Sequence, residues 1–267
     1  MEFSDAHVIV TGGSQGIGLE TARLIATRGA RVSIVARTEE RLAAAAADIE
    51  STTGRPVNWV GADVTDPTAV TAGIGELVAE SGPCDLLVTC AGLAHPGYFD
   101  QLDLDVFRSQ MDLVYFGTLH SIRAVLPAMV ERGSGGLVGV SSGAGLVGVF
   151  GYGAYAPAKY AVRGLMDTLR AEYRHRGLYV ACAFPGDTLT PGFEHENTLK
   201  PPECAAASAG IAPRSAVDVA RAIVRGIEKG RSLITADPTT AALAKGGAPM
   251  IAIAERQMAA AVRKATR

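Results

Sequence analysis

The residues T-G-G-S-Q-G-I-G at 11–18 follow directly on the apolar run Val8–Val10 and open a stretch with helical spacing. A glycine-dense turn between a strand and a helix lets another group approach the backbone closely. It also leaves N–H groups free and stands at the positive end of a helix dipole. A pair of linked phosphates requires those three things. Gly12, Gly16 and Gly18, with Ser14, Gln15 and Ile17 between them, are therefore expected to cradle a diphosphate.

The same strand-then-helix unit recurs along the chain. Short branched apolar runs, read as strands at 6–11, 31–36, 57–61, 84–89, 136–141, 178–183 and 231–235, alternate with longer Ala-rich or charged stretches. Those stretches predict helices at 16–29, 39–52, 67–81, 103–131, 154–176, 215–229 and in part of the C-terminal region. The strands are apolar on both faces, as a parallel sheet covered by helices on both sides demands. The expectation is one Rossmann-like α/β domain over residues 1–267, a doubly wound parallel sheet of about seven strands. The glycine count of 31, against about 19 at average usage, fits many such turns. One segment breaks the rhythm: 185–214 holds five prolines and no period, and is expected to be a structureless loop covering the substrate. A C-terminal helical extension at 238–267 mixes apolar and basic residues.

Charge excludes some functions. Lys plus Arg is 25 and Asp plus Glu is 27, so no basic field serves nucleic acid. The four cysteines, Cys84, Cys90, Cys182 and Cys204, show neither C-x-x-C spacing nor paired histidines, so no metal site is expected. Cysteine usage fits a reducing cytosol, and acidic Glu2 and Asp5 stand where a signal peptide would be basic. The uncharged stretch between Arg132 and Lys159 has the length of a membrane span, but nine of its 26 residues are glycine. The expectation is a cytoplasmic protein without a transmembrane span, with peripheral membrane contact open through the amphipathic C-terminal segment.

Tyr155 and Lys159 stand four apart at the start of a predicted helix and share one face, and Ser142 lies thirteen residues before Tyr155 at a strand end. Reducing a carbonyl by hydride leaves an alkoxide that must gain a proton. A tyrosine donates it well only if its phenolate is stabilised, which Lys159 can do. Ser142 can polarise the carbonyl oxygen by a hydrogen bond. The alternative for a Y-x-x-x-K pair is two surface residues.

The G-x-x-x-G-x-G turn and the Ser142, Tyr155, Lys159 set together resemble the short-chain dehydrogenase/reductase family over about residues 5–235. The resemblance implies further cofactor contacts. Ala36-Arg37-Thr38 lacks the acidic residue that bonds the ribose of NAD, so Arg37 and Arg41 are expected to face a 2′-phosphate and the cofactor to be NADPH/NADP. Asp63, followed by Val64, matches the family's adenine contact, or else caps the next helix. Cys90, Ala91 and Gly92 stand where the family has Asn-Ala-Gly, and Tyr155 and Lys159 also touch the cofactor. Pro185, Gly186, Thr188 and Thr190 match the segment that holds the nicotinamide, Thr190 having helix capping as its other reading.

Four segments are similar to the 3-ketodihydrosphingosine reductase subgroup: 34–42, 90–92, 145–155 and especially F-P-G-D-T-L-T-P-G-F-E-H-E-N-T-L-K-P at 184–201. That resemblance implies reduction of a long-chain sphingoid ketone; the apolar residues Leu146, Val147, Val149 and Phe150 either suit its alkyl chain or belong to the core. A general carbonyl, ketoacyl or steroid reductase, or a weakly catalytic NADP(H) sensor, are the alternatives. Cys90 is read as packing and not as a nucleophile. Family members usually carry an asparagine in the helix before the catalytic strand, where it holds a water for the lysine; by spacing that place is Val114. Relatives form dimers or tetramers through helices such as 103–131 and 154–176, so a homo-oligomer is expected.

Overall fold

The computed structural model describes residues 1–208 and 211–266. Nine strands form: β1 (His7–Thr11), β2 (Arg31–Ala36), β3 (Val57–Gly61), β4 (Leu86–Thr89), β5 (Gly135–Val140), β6 (Leu178–Phe184), β7 (Thr188–Leu189), β8 (Arg214–Ser215) and β9 (Leu233–Thr235). Seven of them make one parallel sheet in the order β3-β2-β1-β4-β5-β6-β9, and β7 pairs only with β8. The order reverses beside β1, where the chain returns to lay β4 against its other edge. A crevice opens at such a reversal, at the carboxyl ends of the strands.

Alternation along the strands divides the core into two layers. Val8 and Val10 of β1 face one side with Val138, Val140 and Ala183, and Ile9 faces the other with Leu87, Leu137, Val180 and Phe184. On the first side lie α1 (Gly16–Ala26), α2 (Glu39–Thr53) and α9 (Ala216–Glu228). Helix α9 buries Val219, Ala220, Ile223, Val224 and Ile227, an apolar stripe of helical period. The second side carries α3 (Pro67–Ser81), α5 (Gly117–Arg132) and α6 (Tyr155–Tyr173).

Two elements differ from the periodicity reading. The helix expected at 103–131 is α4 (Leu104–Gln110), a π-helical turn at Met111–Phe116, and α5. Among the described residues, this continuous stretch is the one helix long and apolar enough to cross a membrane, with mean hydropathy 1.4. It lies against α3 and α6. Residues 185–214, expected to be structureless, contain α7 (Pro191–Leu199) and α8 (Pro202–Ala207) as well as β7 and β8. The prolines read as breakers are helix starters: Pro191 follows the capping Thr190, and Pro202 opens α8. A missing N–H carries no penalty at a first helical position.

The C-terminal segment forms α10 (Pro238–Ala265), bent at Gly247, whose φ of 56° only glycine adopts readily. It packs on α8, and Met258 Sδ accepts the Phe150 N–H at 3.3 Å.

Candidate active site

The crevice at the sheet reversal is built from the glycine turn upward. Gly12 and Gly16 have φ of 69° and 58°. A Cβ at Gly18 would stand 2.2 Å from the Gly12 carbonyl oxygen, and one at Gly12 would meet the Ala91 nitrogen at 2.7 Å. Helix α1 starts at Gly16 behind an extended Gln15 that gives it no side-chain cap, so its first N–H groups are left to an anion.

The cleft is lined by Gly12, Ser14, Gln15, Gly16, Ile17 and Gly18 from this turn and by Arg37 and Arg41 from the end of β2 and α2. Asp63 and Val64 follow β3, and Cys90, Ala91 and Gly92 follow β4, while Thr190 reaches over from the lid. The Arg41 guanidinium donates to Gln15 Oε1 at 3.3 Å, which draws α2 over the turn. A glycine cradle, an uncapped helix start and two guanidinium groups are a donor set that fits a dinucleotide with an extra phosphate. Leu93, Leu113 and Gly192 also line the cleft; they are apolar or featureless and carry no sequence signal.

Some expected contacts fall elsewhere. Thr188 is buried and its hydroxyl donates to the Gly186 carbonyl at 2.8 Å, so it faces inward and not into this cleft. Pro185 does not line it either; its carbonyl receives the Gly143 N–H at 2.7 Å and fixes the turn after Ser142. Asp63 accepts from the Thr65 N–H and hydroxyl, both at 2.9 Å, and it is Asp66 that caps α3. Thr190 caps α7 and also lies 3.0 Å from where a Gly16 Cβ would be. Leu146 and Val147 are core residues, which leaves Val149 and Phe150 half-buried.

Ser142, Tyr155 and Lys159 come together beyond the cleft's inner end. Burial pushes the Tyr155 hydroxyl well above the usual phenol range, with Glu196 adding to the rise, Ser142 opposing it by a hydrogen bond, and Asp187 adding again. Lys159 is 5% exposed, its Nζ donates to the Val140 carbonyl at 2.9 Å, and it lies 5.5 Å from the Tyr155 ring centre. Burial lowers its pKa to about 8. Such an arrangement keeps the tyrosine protonated and places a cation beside it, which is how a proton donor whose phenolate must be stabilised is set up. Cys90 is pushed up to about 12 by burial, as a packing thiol is and a nucleophile is not.

Val114 lies in the π-helical turn and is buried. A Cβ on Gly92 would stand 3.9 Å from its Cγ2 and 3.5 Å from Lys159 Nζ, so both side chains converge on Gly92. The π turn is invisible to a 3.6-residue period.

Sequence reasoning missed a polar group on the lid. Tyr152 donates to Glu196 Oε1 at 2.5 Å, and Lys200 Nζ lies 2.9 Å from the same oxygen and 4.1 Å from the Phe193 ring centre. The signal lay in E-H-E-N-T-L-K, where Glu196 and Lys200 are four apart, but only a helical reading of the lid would have paired them.

A model of the short chain dehydrogenase family matches residues 6–200. The chain is 39% identical over 252 residues to a 3-ketodihydrosphingosine reductase of Dictyostelium discoideum, covering 88% of this chain and 75% of that protein. It is 36% identical over 262 residues to a 3-dehydrosphinganine reductase of Danio rerio, covering 96% and 79%. A short-chain dehydrogenase from Sphingobium yanoikuyae, solved in complex with NADPH, superposes with a TM-score of 0.79 at 26% identity over 90% of this chain and 91% of that one.

Two outcomes are expected. Carbonyl-reducing kcat holds steady below about pH 8 and falls as pH rises through that value, because Lys159 loses the charge that stabilises the phenolate while Tyr155 stays protonated. A profile still flat one unit higher would contradict this. Val114→Asn is expected to keep the fold, read by circular dichroism, and to raise kcat severalfold by giving Lys159 a hydrogen-bonding neighbour; unchanged turnover would assign the proton relay to another group.

Proposed function

The chain belongs to the short-chain dehydrogenase family, and from that premise we propose that it reduces a 3-keto sphingoid base, 3-ketodihydrosphingosine, to the secondary alcohol with NADPH. It is an oxidoreductase acting on a small-molecule substrate. The observation that carries the substrate assignment is the likeness to reductases of that name over as much as 96% of the chain, a span that takes in the lid.

NADPH supplies the hydride when bound. The glycine turn and the start of α1 would hold its diphosphate, and Arg37 and Arg41, which line the same cleft, would pair with the 2′-phosphate. Ser142 orients the carbonyl and polarises its oxygen, Tyr155 gives that oxygen a proton, and Lys159 steadies the phenolate left behind. Val149 and Phe150, half-buried ahead of α6, offer apolar surface to the alkyl chain.

The test follows NADPH absorbance with detergent-dispersed 3-ketodihydrosphingosine beside short ketones. Turnover of the sphingoid ketone is expected, and Tyr155→Phe is expected to lower kcat about 10²- to 10⁴-fold with NADPH binding retained. Turnover of short ketones alone would leave a general reductase, and NADPH binding without any turnover would leave a sensor. Separately, Arg37→Asp is expected to weaken NADPH relative to NADH by about 10- to 100-fold in kcat/KM, the range of a charge-assisted hydrogen bond. An unchanged cofactor ratio would place the 2′-phosphate elsewhere.

A further inference from the structure

The substrate of the proposed reaction differs from a plain long-chain ketone in carrying an amine on the carbon next to the carbonyl, held as an ammonium at neutral pH. A residue that recognises it must lie near the tyrosine, carry negative charge, and be shielded enough for the pairing to count.

Glu196 meets these requirements. Helix α7 carries it over the site, with its side chain 14% exposed. Tyr152 fixes one carboxylate oxygen by donating to it at 2.5 Å, and the Tyr152 ring lies 6.1 Å from that of Tyr155. The same oxygen already holds a primary ammonium, that of Lys200 at 2.9 Å, lodged against the Phe193 ring. The arrangement is one that holds an alkylammonium, with a carboxylate on one side and an aromatic face on another.

Lys200 is shared between two carboxylates. Asp187, half-buried in the turn between β6 and β7, faces Glu196 and Asp237 as like charges and Lys200 as the opposing one. Burial holds its carboxyl above the usual range, and Lys200 opposes the rise. One lysine therefore serves two lid carboxylates, and their negative field reaches Tyr155 itself. A second ammonium would complete the set.

We propose that Glu196, oriented by Tyr152, receives the ammonium of the substrate and so selects amino ketones over plain ketones of the same length. The inference rests on the sphingoid-ketone reading above and deepens it. Pairing at Glu196 seats the carbon next to the ketone beneath α7 and so directs the carbonyl toward Tyr155, with the alkyl chain left to run outward past Phe150.

The test compares 3-ketodihydrosphingosine with the ketone of identical chain that has hydrogen in place of the amine, using wild type and Glu196→Gln. Wild type is expected to favour the amino ketone. Glu196→Gln is expected to raise KM for the amino ketone about 10- to 100-fold, the range of a lost charge-assisted hydrogen bond, with KM for the plain ketone unchanged and any change in kcat, which the Glu196 charge reaches through Tyr155, shared by the two ketones. A damaged lid weakens both substrates together, so equal rises in KM on the two ketones would overturn the role of Glu196. Wild type that reduces both equally well, with no selective effect of the variant, overturns the inference and leaves the reductase reading standing. Wild type that reduces neither overturns both.

Discussion

The close approach of three backbones at Gly12, Gly18 and Ala91 sets the geometry of the rest. The Gly12 carbonyl stands where a Cβ on residue 18 would be, and the turn after β4 fills the space beside Gly12. Any side chain there would separate α1 from β1, or β1 from β4. That packing brings the free N–H groups at the start of α1 to the floor of a crevice opened by the sheet reversal. The catalytic face is then placed by ordinary sheet register, because β5 pairs with β4 and carries Ser142 just past its end.

Burial sets the chemistry at the inner end of that crevice. Removing water disfavours charge on both Tyr155 and Lys159, so the same force raises one pKa and lowers the other. Lys159 Nζ donates to the Val140 carbonyl and the Ser141 hydroxyl donates to the backbone carbonyl of Lys159, which holds α6 to the end of β5. The tyrosine and the lysine are tuned by how deeply α6 sits on the sheet, as well as by each other.

Strands and long helices were legible because both faces of the sheet are covered, and the apolar runs that coverage demands stand out in any register. The glycine turn and the Ser142, Tyr155, Lys159 set were legible because their spacing is local or bound to one strand end. The lid was not. Pro191 and Pro202 mark helix starts by the same chemistry that elsewhere ends helices, and a nine-residue and a six-residue helix are too short for a period to show. Thr188 sits on β7, whose two residues pair with β8, and its side chain is buried there, which a run of two residues does not announce. The pairing of Tyr152 with Glu196 spans 44 residues and could be seen only once α7 was laid over the start of α6.

The lid is a wall of the site and not a loose flap, because it is tied to the same short segment that positions Tyr155. Cys204 Sγ donates to the Phe150 carbonyl at 3.2 Å, and Tyr152 reaches Glu196. Glu203 receives the Tyr98 hydroxyl at 2.9 Å, while the Gly97 N–H bonds the Gly151 carbonyl at 2.8 Å, so the turn after β4 joins the same assembly. At its other end the lid touches the glycine turn through Thr190 and Gly16. Residues 149–154 are thus gripped from the lid on one side and lead straight into α6 on the other. The position of the lid and that of the backbone leading into Tyr155 are therefore fixed by the same contacts.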